Sequence, residues 1–97
     1  MKTISPWISA KALFKNLEDY VQRCCYDEEI WFEYSDEEKE GVGVLVVEGI
    51  FYPNYEGRKY NGTFTLDVWR VYVIDWETNE DIPVNDDYIE RLKRYCK

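Results

Sequence analysis

Carboxylates are the groups in this chain whose number and spacing can do chemistry, and they are bunched. Between Asp27 and Glu40 stand Asp27, Glu28, Glu29, Glu33, Asp36, Glu37, Glu38 and Glu40, against the single cation Lys39. Between Asp75 and Glu90 stand Asp75, Glu77, Glu80, Asp81, Asp86, Asp87 and Glu90, with no cation among them. Eight acids less one cation and seven acids alone make −7 in each stretch. The rest of the 97 residues hold eleven cations and five acids, which returns the net charge of −8. Like charge at this density repels itself and opposes compaction. Such segregation implies a surface set aside for a basic partner. It also disfavours direct binding to nucleic acid or to an anionic membrane, both of which present like charge.

Other site chemistry finds little support. The chain has no histidine, which excludes Ser-His and Cys-His nucleophiles and His-bound metals. Gly41-Val42-Gly43 is too short to cradle a phosphate, and no Lys-Ser or Lys-Thr follows it. Asp75 to Asp81 has the acid spacing of a calcium loop only faintly, with Glu80 where the turn glycine belongs and Pro83 close behind. Carboxylate pairs are too abundant for spacing to single out a general acid and base. The expectation is a non-enzymatic protein with no cofactor, no metal and no small-molecule substrate. Cys24, Cys25 and Cys96 have no metal-type spacing, and the adjacent pair cannot form a relaxed bridge. They read as buried thiols of a cytosolic protein.

The elements that must position the acids come from periodicity. The length suits a single domain spanning residues 1–97, and 45% hydrophobic with 18% aromatic content can fill its core. No apolar run of about 18 residues marks a membrane span, and the first residues do not read as a secretory leader. Ser9 is the expected N-cap of a helix running to about Cys25, with Ala10, Leu13, Phe14, Leu17, Val21 and Cys24 on its apolar stripe. Ile30, Phe32 and Tyr34 alternate with Trp31 and Glu33 in a short strand. Val42 to Tyr52 forms a second, with Val44, Val46, Glu48 and Ile50 opposite Leu45, Val47 and Phe51. Pro53 to Gly62 reads as a loop ringed by Tyr52, Tyr55 and Tyr60, phenols that cover the sheet end or add contacts. Thr63 to Trp76 is the third strand, with Phe64, Leu66, Val68, Tyr72 and Ile74 on one face, interrupted by Arg70, and Asp67, Trp69, Val71 and Val73 on the other. Ile82-Pro83-Val84 breaks the pattern. Asn85 then caps a last helix whose Asp86 and Asp87 sit early and whose Arg91, Lys93, Arg94 and Lys97 sit late, matching the helix dipole.

The fold class is therefore α+β: a three-stranded antiparallel meander between an N-terminal and a C-terminal helix. Antiparallel alternation has a consequence for the acids. The connection after the first strand and the end of the third lie at the same pole of the sheet. Asp36, Glu37, Glu38 and Glu40 are thus expected beside Asp75, Glu77, Glu80 and Asp81, with Asp86 and Asp87 close by. These ten are the candidate partner-binding residues. Asp27 to Glu29 fall at the opposite pole, near Arg58 and Lys59.

A small, histidine-free, acidic α-β-β-β-α chain with carboxylates crowded at Asp36 to Glu40 and Asp75 to Asp81 resembles the DNA-mimic inhibitors of phages, and among them the small anti-CRISPR proteins. The resemblance lies in architecture and charge across the whole chain and rests on no motif. It implies a phage protein in the cytoplasm of an infected bacterium. There it would occupy the Lys/Arg-lined nucleic-acid channel of a CRISPR-Cas surveillance complex. Two other readings fit the same charge: an immunity protein or antitoxin that neutralises a basic nuclease, and a small acidic adaptor whose charge serves solubility.

Overall fold

The computed structural model describes residues 3–24, 28–36 and 38–96. Expectations placed on Cys25, Asp27, Glu37, Lys97 and the Tyr60 side chain fall outside the described residues. The elements are α1 (Ala10–Cys24), β1 (Ile30–Ser35), β2 (Gly43–Glu56), β3 (Lys59–Asp75), β4 (Asp81–Pro83) and α2 (Asp86–Tyr95). The strands form one antiparallel sheet in the order β1-β2-β3-β4. The α+β meander stands, with four strands where the sequence indicated three.

The fourth strand arises because the acidic segment after β3 is a tight reversal. Asp75 Oδ1 accepts the Glu77 N–H at 2.8 Å, the Asp75 carbonyl accepts the Asn79 N–H at 2.8 Å, and Asn79 takes φ 61. Asp81 to Pro83 is thereby laid back against β3, Ile74 opposite Asp81 and Tyr72 opposite Pro83. Proline is tolerated because this is an edge strand. The Pro83 carbonyl accepts the Ile4 N–H at 3.0 Å, and Ile4 bridges Val84 in parallel, so the N-terminal segment covers that edge.

Two further departures come from the β2–β3 ladder. The expected loop from Pro53 to Gly62 is instead the outer arm of one long hairpin. Tyr55 pairs with Tyr60 and Glu56 with Lys59, and only Gly57 and Arg58 make the turn. A register shift between Pro53 and Tyr55 accommodates the proline, and Asn54 Nδ2 donates to Thr63 Oγ1 at 3.0 Å across the arm. This arm helps draw the molecule out to 48 Å along its longest axis. Second, Glu48 pairs with Arg70 but Gly49 pairs with Val68, leaving Trp69 as an extra residue on β3. Such a bulge switches the strand's phase. Phe64, Leu66 and Val68 therefore share a face with Val71 and Val73, not with Tyr72 and Ile74 as strict alternation requires.

That shared face is the core side. Phe32, Leu45, Val47, Phe51, Leu66, Val68, Val71 and Val73 pack with Leu13, Leu17 and Val21 of α1 and Tyr88 and Leu92 of α2. Ser9 Oγ accepts the Ala12 N–H at 3.2 Å, and Asn85 Oδ1 accepts the Tyr88 N–H at 2.9 Å, so both helix starts are capped as read. The Tyr88 hydroxyl donates to the Ile8 carbonyl at 2.8 Å, and the Phe14 and Tyr95 rings stack at 5.8 Å. The helices thus run side by side in one direction. Cys96 is buried, and burial pushes its thiol up to about 11. Cys24 is exposed at the end of α1 rather than buried in it.

Gly49 is required by this packing. A Cβ there would run into the Asp67 carbonyl oxygen and press on the Phe32 ring at 3.1 Å. Gly49→Ala is expected to cost about 1–3 kcal/mol, read as a lower urea midpoint, while Gly57→Ala at the open turn should leave the core contacts untouched.

Candidate acidic docking site

The two acidic segments meet through backbone contacts. Gly43 pairs with Asp75, and the Trp76 N–H donates to the Val42 carbonyl at 3.2 Å. Residues 39–43 are folded on Lys39, whose N–H donates to the Gly43 carbonyl at 2.8 Å and whose carbonyl accepts from Val42 and Gly43. Glu38, Glu40, Glu77 and Glu80 are exposed at this pole, and Lys39 is exposed among them. Asp75 is half-buried because one of its oxygens holds the turn. Among the described residues, no group of three or more acids and cysteines is arranged to hold a metal ion.

Four of the expected docking acids behave differently. Asp36 is only 7% exposed. Its Oδ2 accepts from the Tyr34 hydroxyl at 2.9 Å and from Asn16 Nδ2 at 3.2 Å, tying β1 to α1. Sequence spacing could not separate it from its neighbours, because the turn of the chain after Ser35 decides which acid points inward. Asp81 is paired to Arg70 Nη2 at 2.9 Å. Asp86 and Asp87 are exposed in the first turn of α2. That turn begins where the Val84 N–H meets the Val71 carbonyl, roughly 13 Å down the sheet from Asp75. β4 carries the chain away from the pole before the helix starts. Glu37 lies outside the described residues.

At the opposite pole, Glu28 and Glu29 precede β1, whose first residue pairs with Phe51. Arg58 sits beyond Gly57, roughly 20 Å further along the arm. Among the described residues, neither Arg58 nor Lys59 forms an ion pair with Glu28 or Glu29.

Sequence reading also missed how far the acid spreads. On the sheet face away from the helices, Glu33 stands opposite Glu48, and Glu48 opposite Arg70. Arg70 reaches Glu48 Oε2 at 3.5 Å as well as Asp81, and its guanidinium lies 4.0 Å from the Tyr72 ring centroid. Burial, a hydrogen bond to Glu48 and the charges of Glu33 and Asp81 push the Tyr72 phenol up to about 12. Burial, with Asp36 nearby, raises Tyr88 further. Period-two charge inside apolar strands was the available signal for this face, but the bulge at Trp69 hid which residues line it.

No protein-family model, curated protein or solved structure matches this chain. Architecture and charge are what define it: an α+β protein with one open, acidic sheet face and an acidic pole. No described helix is long and apolar enough to cross a membrane.

Two outcomes follow from these placements. Asp36→Ala removes the carboxylate that accepts from the Tyr34 hydroxyl and the Asn16 amide and should cost about 1–3 kcal/mol in urea unfolding, whereas Glu77→Ala should change stability by less than about 0.5 kcal/mol. In a phenolate absorbance titration, Tyr72 and Tyr88 should ionise above the usual tyrosine range. Because the raised value holds the proton in the folded state only, stability is unaffected by Tyr72 below about pH 10. It falls as pH rises from there towards 12. Tyr72→Phe should flatten that decline; an unchanged decline places its cause elsewhere.

Proposed function

We propose that this protein is a non-enzymatic inhibitor that occupies a Lys/Arg-lined nucleic-acid groove and excludes DNA from it. The observation that carries the reading is the backbone junction of the two acidic segments. It sets Glu38 and Glu40 beside Glu77 and Glu80 on one rigid support. A duplex presents one phosphate per roughly 1.7 Å of axis, and its binding grooves gain affinity by releasing counterions. Carboxylates fixed on a strand end can drive the same release without being read or cut. The helices carry six cations and five acids, a net +1, so the strands and loops carry −9 against the chain's total of −8. That partition leaves one side of the molecule to face a basic groove. The resemblance to small anti-CRISPR inhibitors gives the groove a specific form, the DNA channel of a CRISPR-Cas surveillance complex in an infected bacterium.

The test is competition. The protein and target DNA should exclude one another from the surveillance complex, and affinity should drop at least about tenfold between about 50 and about 200 mM salt. The triple variant Glu38→Lys, Glu77→Lys, Glu80→Lys should fold, by circular dichroism, and lose inhibition. Simultaneous binding of both ligands with undiminished affinity defeats the proposal, as does full activity of the triple variant.

A further inference from the structure

The sheet face away from the helices has aromatic groups that solubility does not call for. Trp31 is 49% exposed and Trp69 is 57% exposed. Trp31 pairs across to Ile50, and Ile50 to Asp67. Trp69, the bulge residue, swings its indole back so that Nε1 donates to Asp67 Oδ2 at 3.1 Å. The two indoles therefore stand on either side of Ile50, their strands roughly 10 Å apart. That spacing admits a flat group stacked against the rings.

The next row of the same face shows what kind of group that is. Arg70 lies against the Tyr72 ring and is held by Glu48 and Asp81. An aromatic face and carboxylates thus already hold one guanidinium here. The adjoining place has the same ingredients, two indoles with Glu33 and Asp67, and no ion pair of either acid is found among the described residues. Glu33 faces Glu48 directly, a like-charge pair of which Arg70 reaches Glu48. Guanidinium stacks on indole and bonds carboxylate in the same plane, which ammonium cannot do. Nucleic acid bases also stack on indoles, but their phosphates would meet Glu33, Glu48 and Asp67. A second copy of this chain would bring another −8.

We infer that Trp31, Ile50 and Trp69, flanked by Glu33 and Asp67, form a docking site for an arginine side chain from an exposed basic segment of a partner protein. This site stands apart from the acidic pole and does not depend on the inhibitor reading.

The test uses ¹⁵N-labelled full-length protein, in which the indole N–H signals of Trp7, Trp31, Trp69 and Trp76 can be assigned. The probe is a capped nine-residue peptide alternating Arg and Ser, with a Lys/Ser peptide as comparator. The Arg peptide should shift the Trp31 and Trp69 signals saturably, leave Trp7 unmoved, and bind at least about threefold tighter than the Lys peptide. Trp31→Ala and Trp69→Ala should each weaken it by about threefold or more with circular dichroism unchanged, and Glu33→Gln should weaken it without removing a ring. Glu38→Lys with Glu80→Lys should leave the Trp31 and Trp69 shifts in place, which separates this site from the pole. The inference is overturned by any of four results: equal affinity for the two peptides, shifts confined to Trp76, shifts produced instead by single-stranded DNA, or a dimer in sedimentation that buries these indoles.

Discussion

Much of the structure depends on how β2 and β3 are registered, and that register contains one residue too many on β3. From Gly43 opposite Asp75 to Glu48 opposite Arg70 the ladder is regular; from Gly49 opposite Val68 to Pro53 opposite Phe64 it is regular again, offset by Trp69. With the offset, Val71 and Val73 join Leu66 and Val68 under the helices. Without it, either the upper or the lower half of β3 would turn its valines to water, since a slip of one residue exchanges the two faces of a strand. Gly49 belongs to the same arrangement, because a side chain at that point would collide with the backbone opposite and with Phe32. The bulge also places Trp69 and Arg70 together on the open face. Core packing and surface chemistry are thus consequences of the same local irregularity.

The charge distribution has a second physical basis. Each helix carries its own cations, at Lys11, Lys15 and Arg23 in α1 and at Arg91, Lys93 and Arg94 in α2. Strands and loops receive the surplus of acid. On the sheet, Arg70 is shared between Glu48 and Asp81 and pins β2, β3 and β4 together. Exposed pairs of this kind contribute little singly, but Arg70 also roofs Tyr72 and holds Asp81 of β4, a strand of only three residues.

Much of the fold was legible in the sequence because its signals were local. Ser9 and Asn85 announced the helix starts, and Leu13, Leu17 and Val21 announced the buried stripe. The convergence of the acidic segments followed from antiparallel alternation alone. What escaped was set by pairing between distant residues. Pro53, Asn54, Gly57 and Gly62 read as a loop, yet cross-strand bonds such as Asn54 to Thr63 keep the arm extended. The three-residue β4 is too short to show periodicity and exists because Asp75 and Asn79 close the turn before it. Asp36 shares its type and neighbourhood with exposed acids, and only the approach of Asn16 and Tyr34 draws it inside.

β1 is an edge strand, paired on one side only among the described residues, and it exposes Ile30 and Trp31. Bare edges of this kind recruit strands from other molecules and seed aggregates. Glu33 sits near the middle of β1, and the Tyr20 hydroxyl donates to the Glu33 carbonyl at 3.5 Å, occupying an acceptor that an incoming strand would use. Two copies pairing edge to edge would have to bring their Glu33 carboxylates close together and give up those phenol contacts. The β1 edge is in this way guarded by one charge and one hydroxyl.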